Sequence, residues 1–144
     1  MNLYAIVILI TLLVGYLLNL VADLLNLRAL KDDVPAELDG LYDREAYRSS
    51  QIYTRVRTRF GWLSGTCMLA VTLVFWFAGG FQALDAFVRA WPLGPVGRGL
   101  AYIGILVAGQ ALMSLPFQLY STFVIEARFG FNQTSLATFC VDRL

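Results

Sequence analysis

The stretch that decides the fold is Phe123–Thr134, "FVIEARFGFNQT". It opens as the end of an uncharged run, meets an acid at Glu126 and a base at Arg128, and reaches two turn formers, Gly130 and Asn132. Glycine readily takes the left-handed conformation that stops a helix, and asparagine offers a side-chain acceptor to the free amides of the next one. The stretch reads as a structural helix end. Glu126 and Arg128 pin it as an ion pair, Gly130 takes the turn, and Asn132 caps the next helix, with Thr134 and Ser135 as alternative caps. Asp23 and Glu126 could instead meet as an intramembrane acid pair, but a glutamate with an arginine at hand is the simpler structural feature.

Upstream, the run feeding this corner carries no charge from Gly99 to Ile125. Two more such runs precede it, Met1–Ala22 and Phe60–Leu84. At about 1.5 Å per helical residue each is long enough to cross a hydrocarbon layer of about 30 Å. A chain that is 58% hydrophobic, with mean hydropathy +0.65, is a membrane protein. Closed barrels are built from shorter, alternating strands, so the fold expected is all-α. It has three transmembrane helices, a cytoplasmic amphipathic helix and a short C-terminal helix. The first run lacks the preceding basic residue and the small-residue cleavage site of a secretory signal, and is expected to remain as an anchor.

Charge sets the expected orientation. Arg28, Lys31, Arg44, Arg48, Arg55, Arg57 and Arg59 lie between the first two runs, whereas only Arg89 and Arg98 lie between the second and third. The positive-inside rule places the first loop in the cytoplasm, the N-terminus outside and the C-terminus inside. The membrane expected is a bacterial inner membrane rather than the endoplasmic reticulum. A net charge of +1 provides no field for nucleic acid, so the partners are the lipid bilayer and other membrane-embedded protein.

Asp32–Gly40, "DDVPAELDG", has turn chemistry and separates the first helix from a second element. There Tyr42, Ala46, Ser49, Tyr53, Val56 and Phe60 share one face, and Arg44, Arg48, Arg55 and Arg59 another. Such a segment either lies on anionic headgroups or extends the next span into water. The second span breaks at Gly79-Gly80, an amphipathic "FQALDAFV" comes next, and the loop "WPLGPVG" brings Trp91 to interface depth without suggesting chemistry.

Two polar stripes run through the spans. Gln110, Ser114, Gln118 and Ser121 fall within an arc of roughly 80° on an ideal helix. A polar stripe is costly against lipid, so it should face protein or water, and these residues are candidates for lining a hydrophilic chamber. The alternative is a bundle seam in which Gly104 and Ala108 allow close packing. Pro116 lies within the stripe and removes the amide bond to the Leu112 carbonyl, which predicts an opened or kinked backbone there. On the first helix Tyr16, Asn19, Asp23 and Asn26 collect similarly. Asn19 and Asp23 are chamber-lining candidates, with helix-to-helix hydrogen bonding as the plainer alternative.

Catalytic chemistry is largely excluded. The chain has no histidine, which removes Ser-His pairs, HExxH zinc sites and imidazole acid–base groups. Cys67 and Cys140 are too few for a zinc site and lie near the reducing side, where a disulfide is not expected. No catalytic or metal-binding residue is assigned, and the chain alone is expected to be inactive and free of cofactor.

"LPFQLYSTFVIEARFGFNQTS", residues 115–135, resembles the signature segment of the type I CAAX prenyl proteases, integral-membrane zinc metalloendopeptidases of the HExxH class. In that family a proline-containing span ends in a run of the form Phe-x-Ile-Glu-x-x-Phe-Gly-Phe-Asn. Phe123, Ile125, Glu126, Phe129, Gly130, Phe131 and Asn132 meet it, with Pro116, Phe117 and Tyr120 upstream; Ala127 departs where an acid is common. "YRSSQIYTRVRTRFG", residues 47–61, is similar to the family segment before its second span, and Asp142 resembles a position on its next helix. The resemblance covers essentially the whole chain. It implies that residues 1–144 are the N-terminal transmembrane region of such a protease, with the catalytic part absent. In the full-length enzyme helices enclose a water-filled chamber, zinc is held by two histidines and a glutamate further downstream, and prenylated or other peptide C-termini are cut. This chain would supply chamber wall and scaffold, with the missing catalytic half as partner. Lacking a C-terminal glycine or breaker before Leu144, the last helix is expected to be cut short. The alternative is a free-standing, non-enzymatic small membrane protein that binds a protein partner or lipid.

Overall fold

The computed structural model describes residues 2–31, 34, 43–132 and 134–141, and only the backbone of residues 136, 137 and 140. Most of the Asp32–Gly40 turn, together with Tyr42, Gln133 and Asp142, lies outside the described residues. Among these residues the structure is entirely helical: α1 (Leu3–Ala29), α2 (Arg44–Phe77), α3 (Gly80–Arg89), α4 (Pro95–Tyr120), a π-helical turn (Ser121–Glu126) and α5 (Leu136–Val141). Three helical stretches are long and apolar enough to cross a membrane: Leu3–Ala29, Arg44–Phe77 and Pro95–Glu126. The chain is an integral membrane protein.

Two compact units divide the chain, residues 1–62 and 63–144, with α2 running from one into the other. A distinct amphipathic helix ahead of the second span is not present among the described residues. The arginine-bearing segment from Arg44 is the first half of α2, continuous to Phe77, because nothing between them breaks a helix.

In the first unit, Asn2 caps α1 by accepting from the Ala5 amide at 2.9 Å. Polar groups on this apolar helix are satisfied locally: the Thr11 hydroxyl donates to the Val7 carbonyl at 2.9 Å, and the Asn19 amide to the Gly15 carbonyl at 3.0 Å. Back-bonding of this kind allows a polar side chain in a span without an unpaired donor in hydrocarbon. α1 is joined to α2 by the Trp62 indole, which donates to the Asp23 carboxylate at 2.9 Å across 39 residues of sequence.

In the second unit α2 ends at a glycine turn. Gly79 has φ 77, in the left-handed region, and α3 starts at once behind it. Phe75 and Phe81 close the turn edge to face at 4.9 Å. α3 then packs on α4. Only Val88, Ile125 and Phe139 are buried among the described apolar side chains, while Leu18 is 64% and Leu100 68% exposed. A helix apolar all round that its own chain does not cover is suited to lipid or to neighbouring membrane helices.

Gly80 and Gly104 should respond oppositely to alanine. A Cβ at Gly80 would lie 2.4 Å from the Phe75 ring, so Gly80→Ala is expected to destabilise the second unit by about 1–3 kcal/mol. At Gly104 a Cβ meets nothing within 4 Å, so alanine should stabilise α4 by up to about 1 kcal/mol. Reversible unfolding in mixed micelles, followed by circular dichroism, checks both signs.

Candidate functional site

The candidate site runs down the last two turns of α4 and around the corner beyond them. Here the polar stripe has unequal members. Gln110 is exposed and, among the described residues, has no hydrogen bond. Ser114, Gln118 and Ser121 are half-buried. The Ser114 hydroxyl donates to the Ala111 carbonyl at 2.9 Å and accepts from the Gln118 amide at 2.7 Å, leaving Gln118 Oε1 buried without a partner. A buried acceptor of this kind calls for a donor from water or from another polypeptide. Gly104, the proposed seam glycine, opens onto empty space rather than onto a packed helix of this chain.

Pro116 lies inside α4, whose helical run continues past it to Tyr120. The opening comes five residues later. The Ser121 amide reaches the carbonyls of both Gln118 and Phe117, and Ser121–Glu126 then widens to a π turn. Thr122, Val124 and Ile125 bring β-branched crowding to this turn. The extra residue rotates the chain beyond it by about 100° relative to the stripe.

The corner itself is closed by backbone. The Glu126 carbonyl accepts from the Phe131 amide at 2.9 Å and the Asn132 amide at 3.3 Å, and the Ala127 carbonyl from the Gly130 amide at 3.2 Å. With Gly130 at φ 74 this is a Schellman cap. The expected Glu126–Arg128 ion pair does not form among the described residues. Two positions apart on a helix, their side chains diverge, and the Arg128 guanidinium lies over the Phe129 ring at 5.9 Å instead. Asn132 is likewise not the cap of α5. Its Oδ1 accepts from the Thr134 amide at 2.7 Å, closing a local turn. Ser135 is the cap, its Oγ accepting from the Thr138 amide at 3.2 Å. α5 is held back on the π turn by Phe123 and Phe139, whose rings meet at 5.7 Å, beside buried Ile125.

On the first unit, Asn19 and Asp23 are engaged within protein, Asn19 with its own helix and half-buried Asp23 with Trp62. Of the two, only the Asp23–Trp62 bond is helix-to-helix. Sequence reasoning misses Trp62 as the partner and misses the π turn. Neither has a local signal, apart from the β-branched run at the π turn.

No group of three or more Cys, Asp or Glu among the described residues is placed to hold a metal ion, and the sequence has no histidine. The described residues do not make a zinc site.

Residues 23–144 match the family described as the CAAX prenyl protease N-terminal region, with five membrane helices. The chain belongs to this family. A CAAX prenyl protease 1 homolog of Homo sapiens is 30% identical over 118 residues, covering 77% of this chain and 25% of that protein. The probable CAAX prenyl protease 1 of Schizosaccharomyces pombe is 29% identical over 128 residues, or 80% of this chain and 27% of its own. The crystal structure of S. mikatae Ste24p superposes with a TM-score of 0.77 at 25% identity, over 92% of this chain and 32% of that one. This member of the CAAX prenyl protease N-terminal family therefore spans roughly a quarter to a third of its relatives' length.

If the cap is a backbone device, Gly130→Ala should cost about 1–2 kcal/mol, because alanine is strained at positive φ. Glu126→Gln, which keeps the accepting carbonyl, should stay within about 0.5 kcal/mol of wild type. Unfolding midpoints of the two variants distinguish this from a carboxylate-based corner.

Proposed function

We propose that this chain acts as the N-terminal membrane scaffold of a CAAX prenyl protease-type zinc metalloendopeptidase, providing chamber wall rather than catalytic groups. The match of residues 23–144 to the N-terminal region of that family carries the reading. The half-buried stripe of Ser114, Gln118 and Ser121, with the unpartnered Gln118 acceptor, supports a wetted wall. In this reading zinc, the general base and the cutting of prenylated or other peptide C-termini belong to the HExxH-bearing part, the chain's principal partner. This chain would position the walls and the corner.

The orientation that fits the basic residues places the first loop and the corner in the cytoplasm and the α3 side outside. The fission-yeast and human relatives are eukaryotic, so they lend no support to a bacterial inner membrane, and an endoplasmic-reticulum-type membrane is the better fit.

Cysteine labelling tests the wall. In a background lacking Cys67 and Cys140, Ser114→Cys and Gln118→Cys in membranes should react with a charged methanethiosulfonate reagent, whereas lipid-facing Leu112→Cys should not. Equal silence at all three positions contradicts a wetted wall. The purified chain alone should carry no stoichiometric zinc and cut no prenylated peptide; zinc-dependent cleavage by it would overturn the scaffold assignment.

A further inference from the structure

Between α3 and the first turns of α4 lies an open cleft of about 450 Å³, lined by Asp85, Val88, Arg89, Arg98, Gly99, Tyr102 and neighbours. Its charges are unequally committed. Arg89 is paired with Asp85 at 2.7 Å, one turn away on α3, which leaves that pair neutral. Arg98 has only a long contact, 3.4 Å, to the Trp91 carbonyl. Tyr102 lies one turn further along the same face of α4, and its hydroxyl has no hydrogen bond among the described residues. The cleft thus has one surplus positive charge and several free donors, while its one carboxylate is already engaged. It is complementary to an anion with several acceptor oxygens.

The surroundings are those of a membrane surface. α4 enters its apolar span directly below Arg98. Phe87 and Trp91 stack edge to face at 5.5 Å and are 57% and 37% exposed, an aromatic pair suited to headgroup depth. Ile103, 59% exposed, lines the edge of the same cleft. It lies about 7.5 Å along the helix axis from Arg98, towards the apolar span. An anionic donor-seeking head and the start of an apolar tail therefore meet the same cleft.

We propose that this cleft binds an anionic phospholipid, with its phosphate held by Arg98 and Tyr102 and the start of an acyl chain against Ile103. The site is independent of the chamber stripe and of the corner, so it stands whether or not the chain serves a protease. Its lipid belongs to the leaflet on the α3 side.

Native mass spectrometry of the full chain in detergent tests the proposal, using dioleoyl phosphatidylglycerol, dioleoylglycerol and inorganic phosphate as probes. Phosphatidylglycerol should bind at least about tenfold more tightly than dioleoylglycerol, which has the same chains and no phosphate. Inorganic phosphate should neither bind alone nor displace the lipid. Arg98→Gln should weaken phosphatidylglycerol binding about tenfold, and since Arg98 is exposed its helical melting should be unchanged. Gly99→Leu keeps every charge and fills a position where a Cβ meets nothing within 4 Å; it should also exclude the lipid. Equal binding of the two lipids, displacement by phosphate, or wild-type affinity in either variant overturns the proposal.

Discussion

A helix that leaves a bilayer ends with carbonyls that have no partner, and nothing in hydrocarbon can supply one. At the end of the third span the backbone itself meets this constraint at the Glu126 and Ala127 carbonyls. The Glu126 carbonyl takes two amides, from Phe131 and Asn132, and the left-handed Gly130 makes the geometry reachable. Everything beyond depends on that closure. Only with the chain turned there do Phe139 and Phe123 come edge to face and bury Ile125 beneath α5. A side-chain ion pair at the same place would weaken with salt and with exposure. A backbone cap does neither, which suits a corner meant to be rigid.

How far the sequence discloses this depends on which physical cause is involved. The three crossings are legible because bilayer thickness imposes a minimum charge-free length, and Gly130 is legible because few other residues tolerate its φ. The side-chain roles at the corner are less so. Glu126 and Arg128 are close in the sequence, but a helix sends positions i and i+2 apart, and the neighbouring Phe129 ring is the nearer partner for the guanidinium. Asn132 closes a two-residue turn of its own, leaving the helix cap to Ser135. The separate amphipathic helix dissolves into α2 because a basic, helix-forming segment with no breaker simply continues. The Trp62–Asp23 bond and the cleft beside Arg98 depend on tertiary placement, which local spacing does not encode, and the π turn is marked locally only by its β-branched run.

The polar groups of the spans divide into two kinds. Thr11, Asn19, Thr72 and Ser114 return their donors to their own helix and ask nothing of the surroundings. Gln118, with a buried oxygen left over, does not. In a chain with so few buried apolar side chains among its described residues, such an unanswered acceptor calls for a donor from water or from another polypeptide. Membership in the CAAX prenyl protease N-terminal family is the observation on which the proposed scaffold role rests.

The most direct measurement of the corner is hydrogen–deuterium exchange at single amides in micelles or nanodiscs. If the Glu126 carbonyl closes the helix, the amides of Phe131 and Asn132 should exchange far more slowly than an open turn, alongside those of the π turn. Exchange of both amides at unprotected rates, while the α4 amides stay protected, would show that the helix end is open and that the corner is not built as described.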